Sequence, residues 1–275
     1  MAAEISSSRK TVEKAMRILN AFTQSRPEIR VSELSRDLAV HKSVVSRLVS
    51  ELCRWQMLEQ HSETRALRIG VGAFRIGSLF STHHSLARVA APHVAGLAER
   101  TTHSAHVSVL DGTQMLVVVS VEGSQSLRMI MRPGDRRFLH ATAAGKLFLA
   151  FSDANLFEAA INAPGLLAQT DQTITQPEIL REQFPRIVRE RIATNRGEHT
   201  VGAGAVAAPI LNERGRMIAA ISTVFPMVAV SAREEDSIVR ETRGAAARIM
   251  QDFAANVATA ARISGHTESR KRRQS

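Results

Sequence analysis

The polar face of one predicted helix, residues 42–55, carries the chemistry that is easiest to interpret. Apolar side chains recur at helical spacing on one side of this helix, and hydroxyl and guanidinium groups recur on the other. Serines bond to phosphates or base edges without bulk, and an arginine makes two parallel hydrogen bonds to a guanine. We therefore expect this face to enter the DNA major groove. The residues expected at the DNA are Lys42, Ser43, Val44, Ser46 and Arg47.

Two more helices and a hairpin are predicted to position this recognition helix. A helix over Thr11–Ser25 has an apolar stripe formed by Val12, Met16, Leu19 and Phe22. A short second helix is predicted with Ser32 at its N-cap, and Ser32 is a further candidate for DNA contact. The segments MLEQH and ALRIG predict two strands around a polar turn, which places Arg65 and Arg68 at phosphates or in the minor groove. This order indicates a winged helix-turn-helix at residues 10–70.

A mixed pattern of helices and strands fills the rest of the chain. A linker helix is predicted at 71–84 and an α/β domain at 85–263, while 1–9 and the basic tail 264–275 are predicted to be disordered. The predicted strands of the α/β domain are AHVSVL, QMLVVVSVE, LRMIMR, Gly204–Leu211 and Met217–Phe225. The predicted helices are Leu86–Thr101, Ala141–Phe151, Asp153–Ala160, Gln176–Thr194 and a last helix from Ser231 to about Ile263.

Net charge is concentrated at the two ends of the 275-residue chain, which carries a formal +10. Residues 1–84 carry +5 and residues 262–275 carry +4, so the centre is almost neutral. Basic charge gathered in one small domain favours a polyanionic partner for that domain. The charge therefore agrees with DNA binding by the N-terminal domain.

Other classes of protein have less support. The single cysteine, Cys53, excludes an intramolecular disulfide. No run of about 18 apolar residues and no leader-like segment occurs, so we expect a cytoplasmic protein without a membrane partner. His103 and His106 lack a carboxylate or Cys at ligand spacing, and no GxxxxGK[ST], GxSxG or HExxH pattern occurs. We expect no catalytic residue, metal or cofactor. A hydrolase with an accessory DNA-binding domain and a protein-interaction adaptor remain alternatives.

Several segments resemble one family. VEKAMRILNAF, VSELSRDLAVHKSVVSRLVSEL and RALRIG resemble the N-terminal domain of IclR-type bacterial transcriptional regulators, and LHATAAGKLFLA and VGAGAVAAPILNERGRMIAAIS resemble their C-terminal domain. The resemblance covers about residues 10–255. It implies an α+β fold with an N-terminal winged helix-turn-helix, a linker helix and a C-terminal GAF-like mixed α/β effector domain. It also implies homodimers or dimers of dimers on double-stranded DNA, which predicts a pseudo-palindromic operator.

The resemblance further implies a pocket for a small-molecule effector. The matching positions are Met129, Ala143, Ala144, Asn195, Ala205 and Ser222. Ala143–Gly145 opens a predicted helix, whose free N–H groups and positive dipole end favour an anion. Asn195 stands where the family often has an acidic residue, and Ala205 where it often has Cys or Ser. We therefore expect the effector to be a carboxylate with an aromatic or small apolar body. The regulator is expected to control a catabolic operon in response to it.

Two departures from the family pattern concern the DNA-binding domain. The family usually has Gly in the helix-turn-helix turn, where this chain has Ala39, and Thr at the position of Val44. A valine methyl can touch a thymine methyl, but it cannot accept a hydrogen bond. These departures therefore concern the preferred operator sequence and leave the expected fold unchanged.

Overall fold

The chain divides into two compact units, Met1–His84 and Ser85–Ser275, each with its own apolar core. The computed structural model describes residues 2–23, 26–83 and 85–272, with side chains for residues 10–23, 26–79 and 86–256. Within these residues no helix is long and apolar enough to cross a membrane.

The N-terminal unit is a winged helix-turn-helix, as the sequence predicts. Its elements in chain order are α1 (Ala2–Asn20), α2 (Val31–Asp37), α3 (Lys42–Arg54), β1 (Leu58–Gln60), β2 (Leu67–Ile69) and α4 (Val71–His83). The strands β1 and β2 pair antiparallel to form the wing. The buried core consists of Ile18, Ile29, Leu34, Val45, Leu48, Val49, Leu58 and Leu67. Val12 and Met16 of the predicted α1 stripe are exposed, because Ile18 supplies the buried contact instead.

Local hydrogen bonds set the start of α2 and α3. The helix α2 begins at Val31, and the Glu33 carboxylate accepts the backbone N–H of Arg30 at 2.7 Å. Ser32 therefore lies inside the first turn, so its assignment as N-cap is wrong. The helix α3 begins after His41, whose ring nitrogen accepts the Ser43 N–H at 3.4 Å.

A six-stranded antiparallel sheet organises the C-terminal unit, with strand order β5-β4-β3-β8-β7-β6. The strands are β3 (Ser104–Asp111), β4 (Gln114–Val121), β5 (Arg136–Phe138), β6 (Ala193–Arg196), β7 (Ala203–Leu211) and β8 (Met217–Pro226). The helices are α5 (Ser85–Thr101), α6 (Ala143–Phe151), α7 (Ala154–Asn162), α8 (Pro177–Glu182), α9 (Phe184–Glu190) and α10 (Ala232–Arg272), with a 3₁₀ turn at Met227–Ala229.

The two faces of the sheet serve different cores. The helices α5 and α10 pack together on one face, and α6 packs on the other. Because side chains alternate along a strand, Val107 and Ile221 lie in the first core, while their neighbours His106 and Ser222 line a cavity on the α6 side. The strand β7 follows the same rule, with Val206 in the first core.

The central part of the C-terminal unit differs from the sequence prediction in several places, of which the unpredicted strand β5 is one. The run LRMIMR, residues 127–132, is not a strand, because Met129 and its neighbours line the cavity instead of pairing. The predicted helix Gln176–Thr194 is two helices, since Pro185 lacks the N–H that a continuous helix needs. Arg191 then ends α9 at a φ of 50°, and the chain forms β6, a strand that sequence reasoning missed.

The ends of the chain also differ from expectation. The helix α1 starts at Ala2 and α10 continues to Arg272, where disorder was predicted for 1–9 and 264–275. Neither segment contains a proline, and the Lys and Arg residues near the end of α10 are favourable at the negative end of a helix dipole. The helix predicted at 71–84 corresponds to α4, Val71–His83, and residue 84 lies outside the described residues.

Candidate functional site

The recognition helix α3 presents four of its five predicted DNA-contacting residues to solvent. Lys42, Ser43, Ser46 and Arg47 are exposed, whereas Val44 is half-buried and packs against the N-terminal core. The Ser43 hydroxyl lies 2.8 Å from the His41 ring, which orients it at the start of the helix. Buried Val45, Leu48 and Val49 fix the opposite side of α3, so the polar side faces outward.

The wing and α2 carry the other predicted contacts. Arg65 is exposed in the wing turn at a φ of 59°, and Arg68 is exposed on β2. The Arg68 guanidinium is ion-paired with Glu59 on β1, across the hairpin. Contact between Arg68 and a DNA phosphate would therefore replace the Arg68–Glu59 ion pair with an arginine–phosphate pair. Ser32 is exposed on α2, outside the recognition helix.

The second site is a cavity between the sheet and α6 in the C-terminal unit. Its volume is about 100 Å³, several times the roughly 10–15 Å³ that one water molecule needs. A compact organic molecule is therefore of suitable size. Six of the seven predicted pocket residues line this cavity: Met129, Ala143, Ala144, Asn195, Ala205 and Ser222. They come from β6, β7, β8, α6 and the 127–132 segment.

Gly145 does not line the cavity, and its role is steric. A Cβ at this position would lie 2.1 Å from the Leu139 carbonyl oxygen, so only glycine allows α6 to approach the preceding loop. Its N–H donates to the Thr142 side chain at 3.1 Å and is not available to a ligand. Ala143 and Ala144 line the cavity and are the first two residues of α6, so their backbone N–H groups have no acceptor within the helix.

One guanidinium gives the cavity its charge. Among the described lining residues Arg137 is the one that is charged at neutral pH. Its side chain is 29% exposed and donates to Asp135 at 3.3 Å and to the Arg136 carbonyl at 2.8 Å, which leaves the guanidinium with further N–H donors. Sequence reasoning missed Arg137, because it lies in a strand that the sequence pattern did not reveal.

Two histidines in the cavity are electrically neutral at pH 7. Burial and the neighbouring Arg137 charge together lower the pKa of His106 to about 4, against a smaller opposite effect of Asp135. Burial likewise lowers the pKa of His199 to about 4, with Arg137 adding to this shift. Both therefore offer one donor and one acceptor rather than a positive charge. His103 lies just before β3 and on the other side of the sheet, where its ring contacts Phe225 of the first core and lies 3.6 Å from the Glu234 carboxylate of α10.

A buried ion pair lies behind the cavity wall. The Lys146 ammonium on α6 lies 2.6 Å from the Glu198 carboxylate and donates to the Thr194 carbonyl at 3.3 Å. Asn195 also ties β6 to the start of α6, because its side-chain amide donates to the Ala141 carbonyl at 2.5 Å. These contacts fix α6 against β6 and against the loop that carries His199.

Two family models match the two units in order. The model for the IclR helix-turn-helix domain matches residues 11–62, and the model for the bacterial transcriptional regulator IclR C-terminal domain matches residues 79–251. The second match alone covers more than half of the chain. The chain belongs to the IclR family.

Individual relatives of this IclR-family chain extend over most of its length. The HTH-type transcriptional regulator BhcR of Paracoccus denitrificans is 30% identical over 84% of this chain and 82% of its own. A solved structure from Silicibacter sp. has a TM-score of 0.81 at 26% identity and covers 89% of this chain and 96% of that one. An IclR homologue from Microbacterium hydrocarbonoxydans, solved with 4-hydroxybenzoate, has a TM-score of 0.79 at 25% identity and covers 89% and 99%.

The relatives place this IclR-family chain in a functional class. The named relatives are transcriptional regulators, which supports a DNA-binding regulator rather than an enzyme. The helix-turn-helix model covers α3, whose exposed polar face is the feature that such a domain presents to DNA.

Proposed function

We propose that this regulator binds a pseudo-palindromic operator as a homodimer or dimer of dimers and thereby controls a catabolic operon. It responds to a small organic or aromatic carboxylate. The observation that carries the effector assignment is Arg137 in an otherwise uncharged cavity. A guanidinium binds a carboxylate through charge-assisted, often bidentate, hydrogen bonds. The Ala143 and Ala144 N–H groups add donors at the positive end of α6.

The apolar part of the effector is inferred from the remaining walls. Met115, Met129 and Met131 contribute flexible side chains that adapt to a ring or a short alkyl chain. Ala205 and Ala143 are small and allow the ligand to approach the backbone. The relative that was solved with 4-hydroxybenzoate supports an acid with an apolar body as a ligand for a protein of this fold.

Exposed apolar residues support assembly through the N-terminal unit. On α4, Val71, Phe74, Ile76 and Leu79 are 54–74% exposed. Val12 and Met16 of α1 are also more than half exposed. Large apolar side chains clustered at a surface favour a protein interface, and a symmetric dimer would present two recognition helices to one operator.

Binding of compounds by the full-length protein, measured by titration calorimetry, tests the effector proposal. We expect benzoate or a small aliphatic acid to bind at least about tenfold more tightly than its neutral amide, because the amide forfeits the charge-assisted bonds. Arg137→Gln should abolish this preference. Arg136→Gln is the matched control, because Arg136 is the adjacent arginine, is 51% exposed and pairs with Asp111 outside the cavity. Amides that bind as tightly as acids would refute the proposal.

Selection of operators from a random-sequence DNA library, followed by binding measurements, tests the DNA proposal. We expect the selected sites to be pseudo-palindromic, with half-sites one helical turn or a multiple apart. Arg47→Ala should lower specific affinity by about 1–3 kcal/mol and leave non-specific affinity much less changed. Arg54→Ala is the control, since Arg54 lies in the last turn of the same helix and pairs with Glu51. Equal specificity ratios in the two variants would exclude base contact by Arg47.

A further inference from the structure

The floor of the cavity carries two polar residues that face each other across neighbouring strands. His106 on β3 and Ser222 on β8 are direct partners in the antiparallel register. Cβ atoms of such partners lie about 4.5–5.5 Å apart, so their polar atoms converge on one position. His106 is 3% exposed and Ser222 is 1% exposed, and both line the cavity.

These two side chains have polar atoms without a protein partner. Within the described residues, both ring nitrogens of His106 and the hydroxyl oxygen of Ser222 make no hydrogen bond. Buried polar groups in folded proteins are nearly always hydrogen-bonded, and each exception needs an explanation. Because these atoms border a cavity, a bound molecule explains them directly.

The hydrogen-bonding groups of His106 and Ser222 determine which ligand group can bind to them. Since the His106 imidazole is neutral, it offers one N–H donor and one acceptor nitrogen, and the serine hydroxyl both donates and accepts. A ligand hydroxyl matches this set, because it can donate to one partner while it accepts from the other. A carboxylate can only accept, so it would leave the imidazole acceptor unpaired. The charged Arg137 lies on β5, two strands away in the sheet order, and suits the carboxylate.

We propose that His106 and Ser222 form a hydroxyl-selective subsite, so that the effector is a hydroxy acid rather than a simple acid. This inference rests on the proposed function, because it assumes that the cavity binds the effector. His106 is the residue that determines specificity, and Ser222 supplies the second hydrogen bond. The acid group and the hydroxyl occupy different parts of the same cavity.

A set of four related compounds separates this inference from the proposed function. Calorimetry with the full-length protein compares 4-hydroxybenzoate, benzoate, 4-hydroxybenzamide and benzamide, and then the same set built on 4-hydroxybutyrate. The acid-to-amide ratio tests the carboxylate assignment. The hydroxy-to-deoxy ratio tests the subsite. In at least one scaffold, we expect the hydroxy acid to bind about tenfold or more tightly than the deoxy acid.

Three variants assign the preference to these residues. His106→Phe and Ser222→Ala should each bring the hydroxy-to-deoxy ratio close to one, while affinity for the deoxy acid is retained. His106→Gln, which keeps a donor and an acceptor, should restore part of the ratio. Ser108→Ala is the matched control: Ser108 lies on the same strand and is fully buried with an unbonded hydroxyl, but it does not line the cavity.

The outcomes discriminate between the two proposals. A hydroxy-to-deoxy ratio below about twofold in both scaffolds, or a ratio that His106→Phe and Ser222→Ala leave unchanged, overturns the subsite. A hydroxyl preference without an acid preference supports the subsite and overturns the carboxylate assignment. If no compound of either set binds, both are overturned.

Discussion

Loss of the carboxylate at position 198 should destabilise the C-terminal unit far more than loss of an exposed carboxylate. The Lys146 ammonium is 2% exposed and lies 2.6 and 2.7 Å from the two oxygens of Glu198. In Glu198→Gln the ammonium would remain buried opposite a neutral amide. Burial already lowers the pKa of Lys146, against the opposing effect of Glu198, so the charge depends on its partner.

The size of the effect follows from this burial. Leaving one charge of a buried pair uncompensated costs about 3–5 kcal/mol, whereas an exposed pair contributes about 0.2–1 kcal/mol. Deprotonation of Lys146 would not reduce this cost, because neutralising a lysine of ordinary pKa 10.5 at pH 7 costs about 5 kcal/mol. We therefore expect Glu198→Gln to lower the free energy of unfolding by about 3–5 kcal/mol. The control Glu158→Gln, which breaks an exposed pair with Arg181, should cost less than about 1 kcal/mol.

Urea unfolding of the full chain measures these differences. Circular dichroism at 222 nm follows the helices of both units, and fluorescence of the single tryptophan, Trp55, follows the N-terminal unit. The double variant Lys146→Met with Glu198→Leu should lose less stability than either single variant, since no unpaired charge remains. A Glu198→Gln effect within 1 kcal/mol of the Glu158→Gln effect would refute the reasoning, and so would additive losses in the double variant.

Three further predictions concern single positions. Gly145→Ala should destabilise the C-terminal unit by about 1–3 kcal/mol or more in the same urea assay. Gly77→Ala is the control, because a Cβ there meets no described atom within 4 Å, and it should be neutral or stabilising. Equal effects of the two substitutions would contradict the steric argument. Ala39 has a φ of 52°, so Ala39→Gly should stabilise the N-terminal unit by about 1 kcal/mol, and an unshifted fluorescence midpoint would count against strain there. Because folding lowers the pKa of His106 from 6.5 to about 4, its contribution to stability is full above pH 6.5 and is lost as the pH falls toward 4. Lowering the pH from 7 to 5 should therefore cost about 2 kcal/mol at this residue, and a His106→Phe variant with an unchanged pH slope would exclude this.

The spacing of apolar residues within single helices and strands was enough to predict the N-terminal unit. The stripe Val45, Leu48 and Val49 indicated the buried side of α3, and the alternating segments around residues 62–65 indicated the wing. The position of Ser32 could not be derived in this way, because the N-cap is Arg30, two residues earlier, and arginine is not a residue type that marks a helix start. The Glu33 carboxylate fixes this start by accepting the backbone N–H of Arg30.

The cavity was predictable only in part, because non-local pairing assembles it. Resemblance to the family placed six of its residues, but it did not reveal His106 or Arg137. His106 lay in a segment correctly predicted as a strand, yet its role depends on Ser222, which is 116 positions later and becomes its neighbour through the β3–β8 pairing. Arg137 lies on a three-residue strand that pairs with the start of β4, and so short a segment has too little periodicity to be recognised.

Alternation along the central strands separates two kinds of evolutionary change. Positions 106, 205 and 222 shape the cavity, whereas their neighbours 107, 206 and 221 belong to the core against α5 and α10. Cavity residues can therefore be exchanged one at a time to change the shape and polarity of the cavity, while the residues that hold the sheet and helices together stay as they are. The residues that set the cavity and the residues that set the architecture thus alternate along the same strands.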